Sequence, residues 1–109
     1  MTVAMPGVVA EAAEGLARIT GAEPALRDGD DWVQSDLPGT NVRLAVSGPH
    51  GGVTVPTVLL KVASMVDART ELTAAGVVVG EIEQGGHEVR SDVFLPGVTA
   101  VKIVMYQPG

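Results

Sequence analysis

A chain of 109 residues suits one compact domain, or two very small halves sharing a core. Hydrophobic residues make up 46%, far above a disordered chain, and with Trp32, Phe94 and Tyr106 the only aromatics the core has to be aliphatic. The absence of cysteine excludes disulfides, thiolate metal sites and Cys nucleophiles, and a net charge of −6 with a pI near 4.6 excludes the basic surface a nucleic-acid partner needs.

Met1 to Met5 reads as a brief strand, broken by Pro6 and Gly7. Val8 to Thr20 reads as a helix: Val9, Ala12, Ala13, Leu16 and Ile19 share one face, and Gly21 supplies the stop. Glu23 to Asp28 and Asp31 to Asp36 read as short strands around an Asp28-Gly29-Asp30 hairpin turn. Leu37-Pro38-Gly39 then makes a turn into a strand. There Val42, Leu44 and Val46 point one way, and Asn41, Arg43 and Ala45 the other. SGPHGG at 47–52 is the most loop-like stretch and the natural linker between halves.

Val53 to Ala63 is a long β-branched run, read as a strand whose Pro56 marks an edge or an irregular start. Ser64 to Ala75 reads as a second helix. Ser64 caps it, Met65, Ala68, Leu72 and Ala75 form its buried stripe, and Gly76 stops it. Val77 to Glu83 and Glu88 to Phe94 read as strands joined by a Gly-rich turn at 84–87. Leu95-Pro96-Gly97 and a last strand, Ala100 to Tyr106, echo the earlier Leu-Pro-Gly turn and strand. Gly21 matches Gly76 and Gly39 matches Gly97 at similar offsets, so the order strand, helix, three strands occurs twice. The expected fold class is α+β. Module 1 covers about 1–47, a linker about 48–52 and module 2 about 53–109, within one domain spanning 1–109.

With these features in this order, the whole chain resembles the vicinal oxygen chelate superfamily, which includes glyoxalase I, bleomycin-resistance proteins and extradiol dioxygenases. The resemblance is carried by GLARITGAEPAL at 15–26, VASMVDARTELTAAGVVVGEIE at 62–83, and the two LPG turns. It implies two βαβββ modules forming a curled mixed sheet around a cleft, with helices on the outer face and commonly a homodimer. Metal-dependent relatives carry ligands at four strand positions, which here fall near Val3, Arg43, Thr57 and Lys102. None presents a carboxylate or imidazole, and cations beside the site oppose a divalent metal. The expectation is therefore the scaffold without glyoxalase-type isomerisation or extradiol cleavage: no metal, no cofactor and no catalytic residue is assigned.

What remains is a small-molecule site in the cleft. Arg43 and Lys102 occupy equivalent positions in the echoed strands and would favour an anionic ligand, Arg43 in a bidentate way; the plainer alternative is that each pairs with a nearby acid. Thr57 and Lys61 share a face of their strand, and Trp32 and Tyr106 offer flat walls. His50 and His87 lie in loops with no adjacent nucleophile. The first expectation is a metal-independent small-molecule-binding protein. Its rivals are a metal-dependent lyase, isomerase or dioxygenase using displaced donors such as Glu81, Glu88 or His87, and an interaction domain with a collapsed cleft. A ferredoxin-like dimer is the alternative fold. No apolar run approaches the ~20 residues that span a bilayer, and no basic n-region with a long apolar stretch opens the chain, so a cytoplasmic protein without membrane partners is expected.

Overall fold

The computed structural model describes residues 1–109. The first strand, β1 (Thr2–Pro6), runs into helix α1 (Val9–Thr20), and three strands follow: β2 (Leu26–Asp28), β3 (Trp32–Asp36) and β4 (Arg43–Ser47). The same order then recurs. β5 (Thr57–Lys61) and α2 (Met65–Ala74) precede β6 (Val78–Val79), β7 (Glu83–Gln84), β8 (Glu88–Phe94) and β9 (Lys102–Pro108). The class is α+β, as expected, with β6 and β7 dividing what would be a single strand. The chain separates into two compact units, Met1–Thr57 and Val58–Gly109.

In the first unit the strand order is β2-β3-β4-β1. β1 and β4 run parallel, while β2, β3 and β4 are antiparallel neighbours, so the sheet is mixed. The register fixes which side chains share a face, because directly opposed residues point the same way. Val33, Val46 and Leu44 face α1. Val9, Ala13 and Leu16 of α1 bury against Val33, with Ala12, Leu44 and Val46 closing the cluster. Ile19, expected on the same helix face, is 63% exposed: α1 has only one turn left there, and Gly21 turns the chain away with φ 72°.

In the second unit the order is β5-β9-β8-β6, with β7 also on β8. β8 and β9 are antiparallel, pairing Arg90 with Tyr106 and Asp92 with Val104. The side chain of Gln107 accepts the Met65 N–H at 2.7 Å, so Gln107, Met105 and Ile103 face α2 while Lys102, Val104 and Tyr106 face away. The expected buried stripe of α2 is only partly present. Met65 is buried, Ala68 and Leu72 are half-buried, and Ala75 is exposed beyond the helix end.

Both Leu-Pro-Gly turns take the form expected from their echo. Thr40 N–H donates to Leu37 O and Val98 N–H to Leu95 O, each at 3.2 Å. Gly39 and Gly97 adopt φ 74° and 81°, a left-handed conformation that glycine takes without steric cost. Loop 47–52 packs closely for a linker. Gly48 N–H donates to Asp31 O at 2.9 Å, and a Cβ on Gly48 or Gly51 would collide with the carbonyl oxygen of Asp30 or Asp31. The β-branched run from Val53 enters regular strand only at Thr57, after Pro56, the irregular start that the proline signalled.

Candidate functional site

Each unit has one sheet face covered by its helix and one turned away from it, and Asp36, Arg43, Arg90, Asp92 and Lys102 lie on the latter. In the first unit this open face carries Trp32, Gln34 and Asp36 from β3, Arg43, Ala45 and Ser47 from β4, and Thr2 and Ala4 from β1. Alternation along β3 places Trp32, Gln34 and Asp36 in one row. Arg43 and Asp36 are direct cross-strand partners, and Arg43 Nε donates to Asp36 Oδ1 at 2.9 Å. Only Nε is engaged, which leaves the two amino groups of the guanidinium available. Trp32 Nε1 donates to Gln34 Oε1 at 2.8 Å across two positions of the strand. Ala4 and Ala45 are 0% exposed, so the reachable part of this face is the half-buried row of Trp32, Gln34 and Arg43.

In the second unit the corresponding face carries Lys102, Val104 and Tyr106 from β9, with Arg90 and Asp92 from β8. Lys102 Nζ stands 3.7 Å from Asp92 Oδ2, and Arg90 Nε stands 3.0 Å from Glu88 Oε1. The echo between the units therefore reaches beyond the cations. Each last strand begins with a positive side chain, and the strand beside it supplies the acid that holds it. These pairs sit in solvent and contribute little to stability, but they fix where two cationic heads stand.

The other expected residues fare differently. Thr57 is buried, and its hydroxyl donates to Val55 O at 2.9 Å, which occupies its proton locally. Lys61, at the end of β5, is exposed. Trp32 and Tyr106 are half-buried on the open faces of their own units. Val3 does not belong on an open face, because its partner Leu44 faces α1. The first-strand residues on the open face are its neighbours Thr2 and Ala4, and neither is a metal donor. His50 and His87 are exposed, and Glu88 is drawn to Arg90. No group of three or more His, Asp or Glu side chains is arranged to hold a metal ion.

Gln34 went unnoticed in the sequence, although a signal was there: it lies two residues from the chain's single Trp, on the same side of an alternating strand. The buried, unpartnered Ser35 Oγ is no part of this site, because Ser35 opposes Leu44 on the helix-covered face.

No family model and no curated protein matches the sequence. Among solved structures, the chain is similar to the NAD-dependent benzaldehyde dehydrogenase from Legionella pneumophila, with a TM-score of 0.69 and 10% identity over 99% of this chain and 98% of that one. It is also similar to methylmalonyl-CoA epimerase from Mycobacterium tuberculosis, with a TM-score of 0.59 and 13% identity over 99% of this chain and 85% of that one. A bleomycin resistance determinant encoded on the transposon Tn5 matches more distantly, with a TM-score of 0.43 and 12% identity over 99% of this chain and 96% of that one. At such identities the likeness is one of fold. That fold is the one expected from the two Leu-Pro-Gly echoes, an α+β fold in which the order strand, helix, strands occurs twice.

Proposed function

We propose that the chain is a small-molecule-binding protein that works without a bound metal, using an open sheet face to hold a ligand with an anionic or strongly hydrogen-bond-accepting group. The observation that supports this best is the chemistry of the strand positions where metal-dependent relatives carry ligands. Thr2, Arg43, Thr57 and Lys102 supply two hydroxyls and two cations, and no deprotonated carboxylate or neutral imidazole. The cations are already steered by Asp36 and Asp92, so binding costs less side-chain ordering than it would for an unrestrained Arg or Lys. Trp32 and Tyr106 add flat apolar area on the same faces, further along the strands. The same reading takes the protein as a cytoplasmic homodimer, for which exposed Val66, Val78 and Phe94 supply apolar surface. No helix is long and apolar enough to cross a membrane.

A catalytic reading draws on the likeness to an epimerase. It would need donors such as Glu81, Glu88 and His87 to gather, but Glu88 is engaged by Arg90, while Glu81 lies exposed between β6 and β7 and His87 lies exposed in the turn before β8. The two readings separate in a thermal-shift screen of small carboxylates, phosphates and neutral analogues, run with a chelator present. A ligand that raises Tm by several degrees under those conditions supports metal-free binding. A near-stoichiometric metal that survives dialysis, or a shift that appears only when Ni²⁺, Zn²⁺ or Fe²⁺ is restored, overturns it.

A further inference from the structure

We propose that Gln34, fixed as a hydrogen-bond donor by Trp32, makes the open face of the first unit a site for the carboxylate or carbonyl oxygen of a ligand whose flat body lies against the indole. This rests on the small-molecule-binding reading above and names the chemical class that such a site takes.

A glutamine amide normally leaves its recognition open. It offers an acceptor at Oε1 and two donors at Nε2, and it can turn over to present either. Here it cannot turn without loss. The indole N–H of Trp32 can only donate, and at 2.8 Å it takes Gln34 Oε1 as its acceptor. A reversed amide would set two donors against each other and lose that bond in a part-buried place. One lone pair of Oε1 is therefore taken by the indole, and the two NH₂ donors are fixed at the other end of the amide.

The neighbourhood reinforces this. Across the strand pair, Gln34 opposes Ala45, whose methyl group does not compete for the amide. The next residue on that face of β4 is Arg43, whose guanidinium has no acceptor at all and commits only Nε to Asp36. The carboxylates on this face stand at its two ends: Asp36, whose Oδ1 accepts that same bond, and Asp28 of β2, which opposes Trp32. Gln34 and Arg43, both half-buried and set diagonally across the strand pair, thus present donors to an approaching molecule, with the Trp32 ring two residues from Gln34 on the side away from Arg43. An oxygen acceptor on a planar frame satisfies the Gln34 NH₂ while the frame lies on the indole, and the charge of Arg43 favours an anion from one diagonal step away. An ammonium or amide N–H in the same position would face donors and leave them unpaired, a mismatch that polar sites reject strongly.

The test uses the whole chain labelled with ¹⁵N. Trp32 is its single tryptophan, so one indole N–H resonance reports the site directly. Benzoate and benzylamine are titrated separately while that resonance and the side-chain amide resonances of Gln34 are followed. The expected result is that benzoate moves both sets and binds about tenfold more tightly than benzylamine. Trp32→Phe keeps an aromatic ring but removes the N–H, freeing the amide to turn over. Followed through Gln34, its preference for benzoate should fall to about twofold or less, an effect that loss of apolar contact alone would not produce. Gln34→Leu should lower the preference to the same level, about twofold or less, the remainder being the charge of Arg43. Backbone amide spectra show whether each variant is folded; if Trp32→Phe is not, the wild-type ranking and Gln34→Leu decide.

The inference is overturned if benzylamine binds as well as benzoate, if Trp32→Phe retains the full preference, or if neither probe moves the reporting resonances. In that last case, a screened compound that still raises Tm would leave the binding reading standing and remove only the donor assignment. If nothing raises Tm, both fall.

Discussion

The two units repeat one order of elements but attach their helices by different means. In the first, α1 is held by shape: Val9, Ala13 and Leu16 sink into an apolar cluster with Val33, and no side chain caps the helix start at Val8. In the second, α2 buries only Met65 and is held by directed polar contacts. Ser64 accepts the Asp67 N–H at 3.2 Å, Gln107 accepts the Met65 N–H at 2.7 Å, and Arg69 Nη2 donates to Gly80 O at 3.0 Å. One topology therefore tolerates either a greasy or a hydrogen-bonded attachment. The difference matters for dynamics, because apolar clusters fail together whereas a few polar clamps can open locally.

Substitutions on each side can break this contrast. The largest effect is expected for Leu16→Ala, which leaves a cavity in the apolar cluster and should cost ~2–5 kcal/mol in denaturant unfolding. Gln107→Leu takes the acceptor from the Met65 N–H; it should cost ~1–3 kcal/mol and raise hydrogen exchange in α2 while leaving α1 unchanged. Ser64→Ala removes the cap of α2 and should cost ~1 kcal/mol, while Val8→Ser, which gives α1 the cap it lacks, should stabilise by roughly 0.5–1 kcal/mol. Arg43→Ala should lie at the bottom of the series, within ~1 kcal/mol, because its ion pair with Asp36 is solvent-exposed. If Gln107→Leu and Leu16→Ala loosen both helices equally, the two attachments are not distinct.

The contrast also explains what was legible in the sequence. The face of α1 was readable because apolar spacing alone builds it, from Val9 through Leu16. The Leu-Pro-Gly turns were readable because a left-handed glycine is a local requirement. The attachment of α2 was not, because Gln107 and Met65 meet only once β9 is in place, 42 residues on. The strand expected from Val77 to Glu83 fails at Gly80 for the same kind of reason. The Gly80 carbonyl is taken by Arg69 and Ser91 side chains, each 11 residues away in sequence, and regular pairing resumes only at Glu83. Alternation along the strands put Arg43 and Lys102 on the faces turned away from the helices. It could not supply Asp36 and Asp92 as their partners, since register between strands decides that. Nor could it supply the bond that ties Gln34 to Trp32, which depends on side-chain rotamers.

The placement of the aromatics has a spectroscopic consequence. Trp32 lies in the first unit and Tyr106, the single tyrosine, in the second, so each unit carries its own chromophore. Indole emission excited at the red edge follows one unit, and the tyrosine component of the second-derivative absorbance follows the other, without any label. Coincident melting curves from the two would show a single cooperative transition, whereas an earlier tyrosine signal would show the polar-clamped unit letting go first.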